Sequence, residues 1–347
     1  MKAKGFQATG RDMNGNDRAR TITATDVARV ADVSQSTVSL VLNGKWQGRI
    51  REETARRVMT TADDLGYRIN QSARSLRLGS TGTVLLVVPT LVNPVFATVH
   101  AGAARVGAQN GLGVVVFPLG AEDGFGLFPA PRHALDGVIA CSLAAEAVSN
   151  LRAGLPLVVL DDAPTPGTPT VTMDTGGGMA NALAHLTALG HQRIMHLRAE
   201  RLAWTFTRRA EVFDQCTLSH PYVIANHLSC SFMPAEVRDR MVQVLSASNR
   251  PTAVICDDDN MAMGVYAAAS ALNLIIGEDL SVIGFNDLPA AALVSPPLTT
   301  VRLPLGELGS RGMQALVDLR NGAVNEPASL LTELIIRKSV GLVSTGT

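Results

Sequence analysis

The chain has 347 residues, 46% hydrophobic and 4% aromatic, with 31 glycines, 17 prolines and a formal net charge of zero. That length allows two or three domains with ordinary cores, and the composition suits alternating α/β structure while excluding a coiled coil or a disordered chain. No N-terminal apolar leader and no run near 18 uninterrupted apolar residues is present, and Cys141, Cys216, Cys230 and Cys256 form no C-x-x-C pair. The expectation is a cytoplasmic protein without membrane span, disulfide or zinc site.

The zero net charge hides a division. Residues 1–80 carry 14 Lys/Arg against 8 acids, a balance of +6, and the other 267 residues carry 16 against 22, or −6. A basic head on an acidic body is the footprint of a polyanion-binding module joined to something else.

Residues 1–20 lack apolar periodicity and read as a disordered tail. Residues 21–69 read as a three-helix domain. The first helix starts with Thr23 as N-cap and Asp26 three residues on, with Val27, Ala28, Val30 and Ala31 on its apolar side. The second starts at Ser34 and turns Val38, Val41 and Leu42 inward. The third covers about Arg51 to Leu65, buries Val58, Met59, Ala62 and Leu65, and stops at Gly66.

Two short helices around a small turn, the second polar on its outer side, form the helix-turn-helix pattern, whose second helix enters the DNA major groove. Gln35 and Ser36 stand at its N-terminal end, where base edges are reached, and Gln can pair with adenine at two points. Ser34, Thr37, Ser39 and Asn43, with Thr23 before the first helix, read as phosphate contacts that position the helix. The competing interpretation, an ordinary helical hairpin with a solvated face, is disfavoured by the +6 head.

Residues 70–82 are polar and basic and end in a Gly/Ser/Thr linker. From Thr83 the pattern changes to apolar runs such as VLLVVP, GVVVFP, LDGVIAC, LPLVVLDD, TAVICDD and LSVIGFND, alternating with helical stretches at 176–189 and 260–273. Buried parallel strands read this way, and βαβ units in a doubly wound sheet follow. The intervals 120–135 and 214–235 look irregular.

"TATDVARVADVSQSTVSLVLNG", followed by "ARRVMTTADDLGYRINQSARSLR", resembles the headpiece of the lactose-repressor/galactose-repressor (LacI/GalR) family. The body agrees at "NPVF" (93–96), "DGVI" (136–139), "HLTALGHQRI" (185–194), "ICDDDNMAMG" (255–264), "SVIGFND" (281–287) and "PPLTTVRLP" (296–304). The likeness covers almost everything after residue 20. It implies a helix-turn-helix headpiece, a hinge helix over 70–78, and a periplasmic-binding-protein-like effector domain over 83–347. That domain would hold two doubly wound subdomains joined by three crossovers, one of about 83–187 and 302–325, the other of about 188–301 and 326–343.

The same resemblance implies a homodimeric transcriptional regulator, most often a repressor, on an inverted-repeat operator of double-stranded DNA. Leu76 takes the place of the family's minor-groove wedge, with Ala73 and Arg74 lining the groove and Asn70 holding the backbone. The alternative for Leu76 is a cap on the core below. The implied effector is a small molecule, sugar-like in many members, held by Phe96, Arg209, Asp259 and Asn286. Phe96 or Trp204 could stack on an apolar sugar face, and core roles suit both equally. A guanidinium fork such as Arg209 can hold two hydroxyls or a carboxylate.

Several positions depart from the family pattern. Leu40 replaces a guanine-reading arginine, and the "GKWQGRI" loop is longer than usual. Gly176–Gly178 replace polar residues, Asn286 stands for an aspartate, and Val212 stands for a glycine. A regulator with a degenerate effector site is therefore the second reading. For Asp257–Asp259 the structural alternative is a favourable helix start, and a metal is disfavoured because strand neighbours point to opposite faces. His185, His191 and His196 read as structural. A Rossmann-like enzyme is the distant third, since G-x-G-x-x-G, G-x-x-x-x-G-K-[ST] and G-x-S-x-G are all missing and "TGGGMA" (175–180) is a weak phosphate cradle. No cofactor is expected.

Overall fold

The computed structural model describes residues 22–68, 80–119, 134–143, 145–151, 154–201, 203–323 and 327–343. The chain divides into two compact units between Gly79 and Ser80. The expected tail, the hinge helix and its residues Asn70, Ala73, Arg74 and Leu76, and most of the 120–135 interval lie outside the described residues.

In the first unit, α1 (Ala24–Val30), α2 (Gln35–Leu42) and α3 (Glu52–Asp64) pack around Val27, Ala28, Ala31, Val38, Val41, Ala55, Val58 and Ala62. The capping box is formed as the sequence predicts: Asp26 N–H donates to Thr23 Oγ1 (3.3 Å), and Thr23 N–H to Asp26 Oδ2 (3.0 Å). Gly66 ends α3 at φ 64°. Two residues expected inside are not. Val30 is 55% and Met59 38% exposed, because three short helices enclose a core only about two turns deep.

The second unit holds two six-stranded sheets. The first is built from β1 (Thr83–Val88), β2 (Gly113–Pro118), β3 (Gly137–Cys141), β4 (Leu157–Leu160), β5 (Thr170–Met173) and, late in the chain, β11 (Ala328–Leu330). The order is β11-β5-β4-β3-β1-β2, parallel throughout. Its helices are α4 (Val95–Gln109), α5 (Ala145–Leu151) and α10 (Leu305–Arg320). The second sheet takes β6 (Arg193–Ala199), β7 (Ile224–Cys230), β8 (Ala253–Cys256), β9 (Ser281–Asn286), β10 (Thr299–Arg302) and β12 (Glu333–Ile335), in the order β12-β10-β9-β8-β6-β7. Only β12 runs antiparallel. Around it lie α6 (Thr175–Ala188), α7 (Trp204–Leu218), α8 (Pro234–Leu245) and α9 (Asp259–Ala271).

Central strands such as β3, β4, β8 and β9 are buried along their whole length, which explains their unbroken apolar runs. The edge strand β7 alternates and carries Asn226, His227 and Ser229. That polarity made 214–235 look irregular. The interval instead holds the end of α7, β7 and the start of α8.

The subdomain limits need correction. The crossings fall between β5 and α6, between β10 and α10, and between β11 and β12, so α6 belongs to the second lobe and β11 to the first. Gly176 of α6 lies against Val212, and a Cβ on Gly178 would stand 2.7 Å from Val301 and 2.8 Å from Thr332. The glycine triplet thus seats α6 closely on the second lobe. The phosphate-cradle alternative has no support there, because the Asp174 carboxylate caps the helix and accepts the Gly177 N–H (2.9 Å).

Candidate functional site

The headpiece presents α2 by its N-terminal end. Ser34 is the N-cap; its hydroxyl accepts the Thr37 N–H (3.2 Å) and contacts Ser36 Oγ (2.7 Å) and Thr37 Oγ1 (2.9 Å). At the other end Asn43 Nδ2 donates to the Ser39 carbonyl (2.6 Å), closing the helix. Thr23 serves the α1 cap, its hydroxyl donating to Asp26 (2.7 Å). The geometry therefore gives Thr23, Ser34, Ser39 and Asn43 local structural duties. Gln35 and Ser36 remain exposed on the first turn, where a groove-reading side chain must be. Arg57 Nε donates to the Ala31 carbonyl (3.1 Å) and fixes α3 to the end of α1.

In the second unit, the carboxyl ends of strands from both lobes meet at a cleft, as open α/β sheets place their ligand sites. The first lobe contributes Asn93 before α4, Ser142 after β3 and Asp161 after β4. Ser142 and Asp161 hold left-handed backbone, φ 51° and 54°. The second contributes Arg209 and Thr205 from α7, Asp257 and Asp258 after β8, and Asn286 ending β9 at φ 108°. Asn93 Nδ2 and Asn286 Nδ2 both donate to Asp258 Oδ2 at 2.8 Å, a bond between the lobes followed by one within the second. The Arg201 guanidinium reaches the Ser142 carbonyl at 3.5 Å. A cavity of about 290 Å³ opens beside Asn286, bounded also by Thr98, Leu288, Leu303 and Leu305.

Arg209 is buried. Its Nη1 donates to the Asp257 carbonyl (2.7 Å) and lies 3.6 Å from Asp257 Oδ1, and the guanidinium carbon sits 4.2 Å from the Phe285 ring centroid and 5.1 Å from that of Phe206. Asp257 also accepts from His196 (3.1 Å) and from the Ala199 N–H (2.9 Å). Burial works to raise the Asp257 pKa, but His196, the Arg209 charge and the Ala199 N–H outweigh it, and the net shift is downward. Asp161 shows the reverse balance. Burial pushes it up to about 6 despite a hydrogen bond from Ser142 (2.8 Å) and the facing Arg209 charge and Thr205 hydroxyl. Among the described residues three buried side-chain atoms carry no hydrogen-bond partner: Asp161 Oδ1 from the first lobe, and Arg209 Nε and His196 Nδ1 from the second.

Among the residues expected around an effector, Arg209 and Asn286 reach the cleft. Phe96 is packed in the core that α4 shares with the first sheet, and Trp204 opens α7, half-buried. Asp259 must be reassigned. Its oxygens accept from Thr300 Oγ1 (2.7 Å) and the Leu288 N–H (2.7 Å), and burial pushes its pKa up to about 7, so it braces β10 and the segment after β9. The neighbouring carboxylate that reaches the asparagines is Asp258. Sequence reading also missed Asn93, Ser142, Thr205 and Asp161. The available signal was the polar residue ending each apolar run, as in "IACS" and "VVLDD". His191 is structural, bonded to Thr252 (3.0 Å) and the Gly341 carbonyl (3.1 Å).

Residues 23–70 match the profile described as bacterial regulatory proteins, lacI family, and residues 183–340 match a periplasmic binding protein-like domain. The transcriptional regulator MalR of Streptomyces coelicolor is 31% identical, covering 90% of this chain and 95% of its own length. The transcriptional repressor PurR of Mannheimia succiniciproducens is 30% identical, covering 92% and 98%. The chain belongs to the lacI family of bacterial regulatory proteins. A lac repressor structure bound to ONPG shares 25% identity over 92% of this chain and 100% of its own, with a TM-score of 0.75. A lac repressor dimer bound to operator shares the fold at 24% identity and a TM-score of 0.76. This lacI-family member is thus a DNA-binding transcriptional regulator with a two-lobed effector-type domain. Both of these relatives, MalR and PurR, are named as transcriptional regulators, not as enzymes. Among the described residues no helix is long and apolar enough to cross a membrane.

Proposed function

We propose that the protein is a dimeric, cytoplasmic transcriptional repressor whose α2 helices read an inverted-repeat operator, and that a small hydrogen-bonding effector in the cleft controls its DNA affinity. One observation carries the effector reading: a buried carboxylate oxygen of Asp161 and a buried guanidinium nitrogen of Arg209, from opposite lobes and close enough for the Arg209 charge to act on Asp161, have no hydrogen-bond partner among the described residues. Buried polar atoms are costly unless bonded, and a ligand offering one donor and one acceptor satisfies both. A polyhydroxylated molecule fits that demand, with Asp258, Asn286 and Thr205 close by. On the family pattern Leu76 is assigned to the minor-groove step, Ala73 and Arg74 to the groove lining and Asn70 to holding the backbone, and Gln35 and Ser36 are assigned to base edges. Control follows from differential affinity: an effector that binds one lobe arrangement better shifts DNA affinity by about 1–3 kcal/mol.

Selection of duplexes from a random pool by full-length protein, with and without cell metabolites, tests this. The expected outcome is an enriched inverted repeat whose preference over shuffled DNA falls by about 1–3 kcal/mol in Gln35→Ala. Failure to enrich any repeat under either condition would refute operator recognition. A sugar that alters binding of wild type but not of Arg209→Lys would identify the effector class.

A further inference from the structure

The first sheet carries a charged cluster that the cleft does not use. Its strands run parallel, so the starts of β1 and β3 lie at the end away from the cleft. Asp136, the residue before β3, is buried, and its carboxylate takes three bonds from the residues that precede β1. The Ser80 hydroxyl donates to Oδ2 (2.5 Å), the Thr81 N–H to Oδ1 (2.7 Å) and the Gly82 N–H to Oδ2 (2.8 Å). Arg320, the last residue of α10, closes the cluster: its Nη2 donates to Ser80 Oγ (3.2 Å) and lies 3.5 Å from Asp136 Oδ2. Burial works to raise the Asp136 pKa, but these bonds and the Arg320 charge outweigh it. The net shift is downward, so the acceptor is ionised at neutral pH.

Ser80 is where the chain coming from the headpiece enters the second unit. The headpiece core ends with Tyr67, and residues 68–79, 12 in number, join the two units. Gly82 is also held by the sheet, since its carbonyl accepts the Gly113 N–H (2.8 Å). The hydrogen bonds that Ser80 and Thr81 make beyond their own segment, among the described residues, all go to Asp136 and Arg320. Without the cluster the joining chain gains two residues of free length in each protomer, up to about 7 Å. One base pair inserted between the halves of an inverted repeat moves them only about 3.4 Å apart, with a turn of about 35°. Two bonded residues are therefore enough to decide which spacing a dimer accepts.

We propose that Asp136 and Arg320 are positioning residues that set the half-site spacing of the operator: by fixing the joining chain at Ser80 they hold the two headpieces of a dimer to one separation. They act without touching DNA. This rests on the inverted-repeat reading above, and the test separates the two. Full-length wild type, Asp136→Ala and Arg320→Gln are titrated onto the selected repeat and onto the same repeat with one or two base pairs inserted at its centre. A shuffled duplex is the fourth probe.

Wild type is expected to bind the inserted duplexes at least about tenfold more weakly than the selected one, because both headpieces can no longer engage at once. Asp136→Ala should shrink that penalty to about threefold or less. Arg320→Gln leaves the three bonds to the carboxylate in place and should shrink it part-way. The penalty is a ratio of affinities within one preparation, so a general loss of folded protein does not move it. An unchanged penalty in Asp136→Ala, with native circular dichroism, would overturn the proposal. If that variant does not fold, an unchanged penalty in Arg320→Gln overturns it instead. A wild type that prefers the selected repeat to shuffled DNA but accepts every spacing alike refutes the spacing role and leaves the operator reading standing. A wild type that binds selected and shuffled duplexes alike refutes both.

Discussion

In the first lobe α4 and α10 meet backbone to backbone: a Cβ on Gly102 would run into the Gly306 carbonyl, and one on Gly309 into that of Val99. The second lobe has a comparable approach at Gly264 and, in addition, a buried polar lattice at its strand ends, with Asp257 tied to His196, Ala199 and Arg209, and Asp259 tied to Thr300 and Leu288. Both lobes follow one βα plan and both use close approach, since a Cβ on Gly264 would stand 2.6 Å from the Pro234 carbonyl oxygen, but only the second adds this charged lattice around Asp257. The difference assigns their parts in binding. On the proposed effector reading, the lattice presents Arg209 preorganised, whereas Asp161 of the first lobe is held through one oxygen by Ser142 and has the other to offer a ligand. A preorganised half lowers the ordering cost of closure.

The sharpest way to break this comparison is Asp257→Ala. It leaves the Arg209 charge and His196 in a buried site without their carboxylate, and a loss of about 3–5 kcal/mol is expected in urea unfolding. A loss under 1 kcal/mol would mean that the lattice does not lock the second lobe. Asp161→Asn probes the other half through pH. The native carboxyl keeps its proton to about 6, while an unfolded one releases it near 3.8, so the native state loses stability as pH rises between these values. Replacing it by the neutral amide removes that slope. The variant should gain on wild type by up to about 3 kcal/mol between pH 4 and 7. Urea midpoints differing by a constant amount across that range would show that Asp161 is not held protonated. Gly309→Ala should cost about 1–3 kcal/mol by forcing α4 and α10 apart. A neutral melting temperature would show that the helix contact yields.

The sequence made some of this legible and hid the rest for physical reasons. Buried parallel strands announce themselves because both faces need apolar side chains, and caps such as Thr23 with Asp26 are local chemistry. Arg209 was legible through the family resemblance, because its neighbour Arg208 is a cation too and composition does not tell them apart. Which of three successive aspartates enters the cleft was not, because that depends on how the backbone turns from β8 into α9. Asp161 and Asn93 looked like ordinary loop residues, since their significance comes from partners at distant positions, such as Asp258 for Asn93. The crossing before α6 left no local mark, because an amphipathic helix reads the same on either lobe.

The three crossings also bear on how the protein is made. The headpiece core is complete once residue 67 is available, but the first sheet lacks its outer strand until Leu330 and its packing helix until Arg320. A ribosome therefore releases a finished DNA-facing module long before the receptor that governs it can close its first sheet. Chains that stop before Ala328 lose a strand from the lobe that begins at Thr83, not merely a tail. Premature stops before Ala328 should thus yield polypeptides that keep the headpiece and lose its regulation.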